Sequence, residues 1–221
     1  MTTARAEQTH PDKSLWLKWV VATTASYAIG VAINGAMGEV VGEALGGEVL
    51  HKLGHTVGMG LFGVIVVLAQ WPVLQQQVDW AGRWAVATIV GYTLGVLVYG
   101  SVILFAPRAT PLEVELALTT FVPMAGAALA QWLALRQQIA GAGRWAFAYV
   151  AMFLVGWIVI WLLIGGVTGL AAESLYPIVE SAVHYALRQI PSGLVGGAVF
   201  GATSGAWLIW LLRQPAPRYA R

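Results

Sequence analysis

The chain has four histidines, ten acidic residues and no cysteine, so metal or acid–base chemistry would have to come from imidazoles and carboxylates. Glu48, His51 and His55 are spaced i, i+3 and i+7, and a continuous helix would carry all three along one face. Glu180 and His184 repeat the pairing at i, i+4. Neutral imidazole with carboxylate suits Zn, Mn or non-haem Fe, and two such elements would have to converge from the first and last thirds of the chain to complete a ligand set. HKLGH lacks the glutamate of HExxH, and Gly46, Gly47 and Gly54 are positioned to break the helix. The competing reading leaves these side chains solvated or interfacial on an acidic rim. No hydroxyl nucleophile has a supporting base: Ser204, in TSGAW, lacks the GxSxG frame and is expected to have no histidine in its helix.

Two further groups could bind without chemistry. Trp157 and Trp161 lie one helical turn apart, deep in an apolar run, where they would stack on a quinone, a pigment or a lipid tail, or simply pack between helices. Asn34, Gln70 and Gln131 are neutral polar side chains in similar runs. They would cross-link helices by hydrogen bonds, hold a lipid headgroup or line a path for a neutral solute. Residue types alone leave the cofactor or ligand unnamed.

The elements that carry these residues are membrane helices. Six windows contain no Asp, Glu, Lys, Arg or His: 19–38, 56–78, 84–107, 116–135, 145–172 and 189–212. Each is long enough, at roughly 1.5 Å per residue, to cross a hydrocarbon core of roughly 30 Å. A membrane barrel would instead show short segments of alternating polarity. With 58% apolar and 10% charged residues, the chain also has too little polar surface for a soluble globule. The uncharged interior argues against a proton-driven carrier, which usually keeps an ionisable group at depth. The first window follows Lys13 and Lys18 like a secretory signal but exceeds the usual apolar core of such signals, and the absence of cysteine excludes disulfides and thiolate sites.

Basic residues give the orientation. The N-terminal tail, the second and fourth connections and the C-terminal tail hold nine of them, Arg5, Lys13, Lys18, Arg83, Arg136, Arg144, Arg213, Arg218 and Arg221, against three acids. The opposite side has Lys52, Arg108 and Arg188 against seven acids. Both termini are therefore expected in the cytoplasm, and the pI near 9.0 reflects topology and not a nucleic-acid surface.

A basic residue and a tryptophan open three of the windows, with a glycine eleven positions after the tryptophan: Lys18-Trp19 to Gly30, Arg83-Trp84 to Gly95, and Arg144-Trp145 to Gly156. WVVATTASYAIGV from Trp19 aligns without a gap with WAVATIVGYTLGV from Trp84, and LAQWPVLQQQ from Leu68 with LAQWLALRQQ from Leu129. These matches divide the chain into two-helix units at about 15–80, 81–141 and 142–214. In the third unit Ala206 stands where the first two have Gln70 and Gln131. Tryptophans near the basic side, Trp19, Trp84 and Trp145 among them, read as an interfacial belt. Gly193, Gly197, Gly201 and Gly205, with Gly38, Gly42 and Gly46, form four-residue stripes suited to close helix contact.

The strings QWLALRQQ and AGRWAFA resemble repeated QWLxLRxQ and AGRW segments of uncharacterised bacterial multi-pass membrane proteins, over most of the chain. The resemblance implies a bacterial inner-membrane location and no established activity. Mitochondrial carriers also comprise three two-helix repeats, but their acidic Pro-x-Asp/Glu motif is missing. The expected protein is an all-α integral membrane bundle of six transmembrane helices, built as three tandem repeats in a pseudo-threefold arrangement. It has a disordered tail at 1–13, one domain at 14–214 and a tail at 215–221. The expected role is non-enzymatic: an accessory, scaffold or lipid- or small-ligand-binding subunit whose partners are membrane lipids and other membrane-protein subunits, with no nucleic acid. The alternatives are a facilitator of a neutral solute along the repeat axis and an outer-face metal or cofactor protein.

Overall fold

The computed structural model describes residues 13–105, 112–136, 138, 141–155, 158 and 182–213, and all regular structure among them is helical. The described residues form six helices in order: α1 Lys13–Leu45, α2 Glu48–Leu74, α3 Ala81–Phe105, α4 Leu112–Leu135, α5 Ala142–Val155 and α6 Ala182–Leu212. Of these, α1, α2, α3, α4 and α6 are long and apolar enough to cross a membrane. Most of the fifth apolar window, with Trp157 and Trp161, lies outside the described residues, as does Glu180.

The helices overrun the uncharged windows. At 33 residues, α1 is about 50 Å long, well beyond the roughly 30 Å hydrocarbon core. Charge ends a window because lipid excludes it, but a helix satisfies its own backbone and can continue into water past Glu39. For the same reason α6 starts early enough to hold both His184 and Ser204, whose twenty-residue separation amounts to about 30 Å along the axis. Gly46 and Gly47 do break the chain between α1 and α2, at φ 71° and 98°, values that favour glycine. Gly54 does not break it, and α2 runs through without interruption.

Polarity is inverted relative to a soluble protein. Large apolar side chains such as Leu17, Val21, Val86, Leu94, Leu97 and Leu129 are exposed along the outside, while Thr23, Ser26, Gln70, Thr88, Gln131 and Ser204 are buried. An apolar exterior is what a lipid solvent requires, and lipid supplies little hydrophobic drive to hold helices together. Close backbone approach and internal polar contacts must then do so.

Both are present. A Cβ at Gly197 would stand 2.8 Å from Thr24 Cα, and one at Gly201 would stand 3.0 Å from Thr23 Cβ. Gly193 and Gly205 face α1 in the same way, at Ala28 and at Trp19. The α1–α2 hairpin has the same closeness, with Gly58 against Asn34 and Gly54 against the Met37 carbonyl. Between α3 and α4, Gly95 meets the Pro123 backbone, and Gly91 and Gly126 meet each other. Gly196, off the α6 stripe, is buried as well, so burial alone does not distinguish the stripe.

Across the middle, aromatic rings fill the space between helices. Tyr27 packs edge-on against Phe62 at 4.9 Å between centroids and stacks on Phe200 at 5.5 Å. Tyr149 and Phe153 approach the same Phe200 at 5.6 and 6.0 Å, and Phe62 reaches Tyr92 at 6.4 Å.

Candidate functional site

The polar residues gather at two opposite ends of the bundle. One end is formed by the starts of α1, α3 and α5 and the final turns of α2, α4 and α6. Here Trp145 Nε1 donates to Gln131 Oε1 at 2.7 Å, Gln131 Nε2 donates to Thr88 Oγ1 at 2.9 Å, and Thr88 Oγ1 donates to the Trp84 carbonyl at 2.7 Å. That series joins α5, α4 and α3. A second series joins α2, α1 and α6. Gln70 Nε2 donates to Thr23 Oγ1 at 2.9 Å, Thr23 Oγ1 donates to the Trp19 carbonyl at 2.8 Å, and Trp19 Nε1 donates to Ser204 Oγ at 3.0 Å. The Trp19 and Trp84 rings lie 6.0 Å apart and bring the two series into contact.

Each hydroxyl here accepts from a neighbouring helix while donating to its own helix backbone, including Ser204 to the Phe200 carbonyl at 2.5 Å. A threonine or serine in a helix can always reach the carbonyl one turn back, which leaves its lone pairs free for an incoming amide or indole N–H. Gln131 and Thr23 are fully buried, so these bonds have no water to compete with them. Gln70 and Gln131 thus serve as helix cross-links in this geometry.

Trp19, Trp84 and Trp145 are each only 2% exposed. Their rings turn into the bundle, so these three do not stand in the interfacial belt expected from their basic neighbours. Trp71 is exposed, and Trp16, Trp80, Trp132, Trp207 and Trp210 are half-buried. The signal that could have separated them is the residue four positions on. Thr23 and Thr88 follow Trp19 and Trp84 at that spacing, and Gln70 and Gln131 recur at the other end of each hairpin.

The other end carries the imidazoles. The His51 and His55 rings meet edge to face at 4.8 Å between centroids, both half-buried on α2. They fill space opened by glycine. A Cβ at Gly38 would stand 2.5 Å from His55 Nε2, and one at Gly42 would stand 2.9 Å from His51 Nδ1. Glu48 pairs with Lys52 at 2.8 Å across one helical turn. Glu48, His51 and His55 do share one helix, while Glu180 lies outside the described residues and the His184 side chain is not among those described. Among the described residues, no group of three His, Asp or Glu side chains is placed to hold a metal ion.

A depression of about 430 Å³ opens at this end, lined by Gly46, Gly47, Glu48, Val49, Leu50, Lys52 and Leu104. Asn34, nearer mid-helix, faces Gly58, and its Oδ1 is buried without a hydrogen-bond partner. Comparison with protein-family models, curated proteins and solved structures finds no match to this chain.

Proposed function

We propose that this chain is a non-enzymatic polytopic membrane protein, an accessory or scaffold subunit that presents a fixed helical bundle to lipids and to other membrane proteins. The observation that carries the reading is the use of the buried polar side chains: Gln70, Gln131, Thr23, Thr88 and Ser204 are engaged with one another or with indole N–H groups across helix pairs. Groups committed in this way rigidify the bundle and leave few donors for a permeating solute. Small-residue packing of α6 on α1 supports the same view, because it fastens the last helix to the first.

The repeat supports a pseudo-threefold plan. Gln70 bonds Thr23 within the first unit as Gln131 bonds Thr88 within the second, while Trp145 and Trp19 each reach a neighbouring unit. The third unit departs from the pattern, with Tyr149 four residues after Trp145 and Ser204 receiving the Trp19 indole. With the basic residues at the tryptophan end, we place both termini in the cytoplasm of a bacterial cell, in keeping with the QWLxLRxQ and AGRW resemblance. Labelling of a single cysteine at Gln76→Cys from outside the cell, with Glu113→Cys protected, would reverse that orientation.

Stopped-flow light scattering on proteoliposomes challenged with glycerol or urea tests the function. The scaffold reading expects permeability equal to that of protein-free vesicles. A rate that rises in proportion to the protein content would replace it with the facilitator, for which the unpartnered Asn34 Oδ1 is the most suitable lining group.

A further inference from the structure

Three arginines lie at helix ends on the tryptophan side, and among the described residues none of them has a carboxylate partner. Arg136 follows α4, Arg144 lies in the first turn of α5 and Arg213 follows α6, and all three are exposed. The start of α5 lies against the ends of both α4 and α6. The Arg136 guanidinium sits 5.5 Å from the centroid of the Trp132 ring. The Nε1 edge of that same ring is 3.8 Å from where a Cβ at Gly143 would stand, beside Arg144. Two residues earlier, a Cβ at Gly141 would stand 3.0 Å from Leu211, beside Arg213.

Among the described residues no carboxylate pairs with any of the three arginines, and the one described acid on this side is Asp79, in the α2–α3 connection. Trp132 and Trp210, both half-buried, precede Arg136 and Arg213 by about one helical turn. Indoles at a helix end prefer the boundary between acyl chains and headgroups, and a guanidinium offers a fork of donors that matches phosphate oxygens. Positive charge without internal compensation, at headgroup depth and flanked by indoles, calls for an anion that belongs to the membrane.

We propose that the adjoining ends of α4, α5 and α6 form a headgroup site for an anionic phospholipid, with Arg136, Arg144 and Arg213 contacting its phosphate. The proposal rests on the membrane reading but not on the choice between scaffold and facilitator, so solute flux and lipid retention can fail separately.

Protein in phosphatidylcholine nanodiscs, titrated with phosphatidylglycerol and read by native mass spectrometry, tests the site. Wild-type protein is expected to retain phosphatidylglycerol in preference to phosphatidylcholine. Loss of each arginine should weaken retention about fivefold, and Arg136→Gln/Arg144→Gln/Arg213→Gln together on the order of a hundredfold. Arg83→Gln, at the start of α3, should leave retention unchanged. Wild-type retention in the triple variant would overturn the proposal, and so would an Arg83→Gln loss as large as the triple's, which would mean a diffuse surface charge. Inorganic phosphate that displaces the lipid at equal concentration would overturn it in favour of a free anion. All three side chains are exposed, so the triple variant is expected to melt with the wild type in pure phosphatidylcholine. If it does not, the single variants carry the test, and wild-type retention in all three overturns the proposal.

Discussion

At the tryptophan end of the bundle, Thr23, Gln70, Thr88, Gln131 and Ser204 are at most 3% exposed, whereas at the imidazole end the Glu48 side chain keeps 56% of its surface. The first end spends its polar groups on one another and on indole N–H donors across helix boundaries. At the second, Glu48 pairs with Lys52 and His51 meets His55, each pair one turn apart along α2. Against α1, the His55 and His51 rings fill the space that Gly38 and Gly42 leave open. The difference follows from the solvent. A buried amide in lipid must find an internal partner, while a side chain on a helix that emerges from the membrane has water to bond with. The tryptophan end should therefore be the mechanically coupled one, and substitutions there should be felt across several helices.

The largest effect is expected at Gln131, which accepts from α5 and donates to α3. Gln131→Leu keeps similar bulk but removes both bonds and leaves the Trp145 indole N–H buried without an acceptor. Interhelical hydrogen bonds in lipid average about 0.6 kcal/mol, and an orphaned buried donor adds about 1–3 kcal/mol, so a loss of about 2 kcal/mol is expected. Gln70→Leu removes one cross-link, to Thr23, and should cost about half as much. Thermal unfolding in nanodiscs would rank them. Equal losses, or a neutral Gln131→Leu, would mean that the two series do not carry the coupling. A Trp145→Phe/Gln131→Leu double-mutant cycle would isolate the indole–amide bond, with a non-zero coupling energy expected.

The helical class, with helices long and apolar enough to cross a membrane, was legible in the sequence because charge interrupts the chain at intervals of about one bilayer, and charge is what lipid excludes. Helix length was not, because nothing in a residue's polarity stops a self-satisfied backbone from continuing past Glu39 into water. Orientation of the tryptophans was also hidden. A tryptophan beside Lys18 or Arg83 at a helix start has the polarity of an interfacial residue, and only the facing helix decides whether its ring turns in or out. For Trp19 that helix is α6, 185 residues away in sequence. The α6 glycines present the same problem, since their spacing marks a face but cannot name α1 as its partner. For Glu48, His51 and His55, spacing was enough to place them on one helix, but whether two helices converge on a shared ion is a tertiary question.

The smallest effect is expected at the imidazole end, and it separates a rim from a working centre. Glu48→Gln removes one charge from an exposed pair with Lys52 and from the first turn of α2, where a carboxylate also interacts favourably with the helix dipole. An exposed i, i+4 pair contributes about 0.3–0.5 kcal/mol, and the dipole term at this exposure is of similar size. Together they should cost below about 1 kcal/mol and should shrink in high salt, because both are screened. If Glu48 instead ligated a metal with His51 and His55, Glu48→Gln would weaken ion binding by far more than screening can explain, and added Zn would raise the melting temperature of wild type but not of the variant. A small, salt-sensitive loss with no response to Zn is therefore the expected outcome. A Zn response that disappears in Glu48→Gln would instead give this end a ligand role.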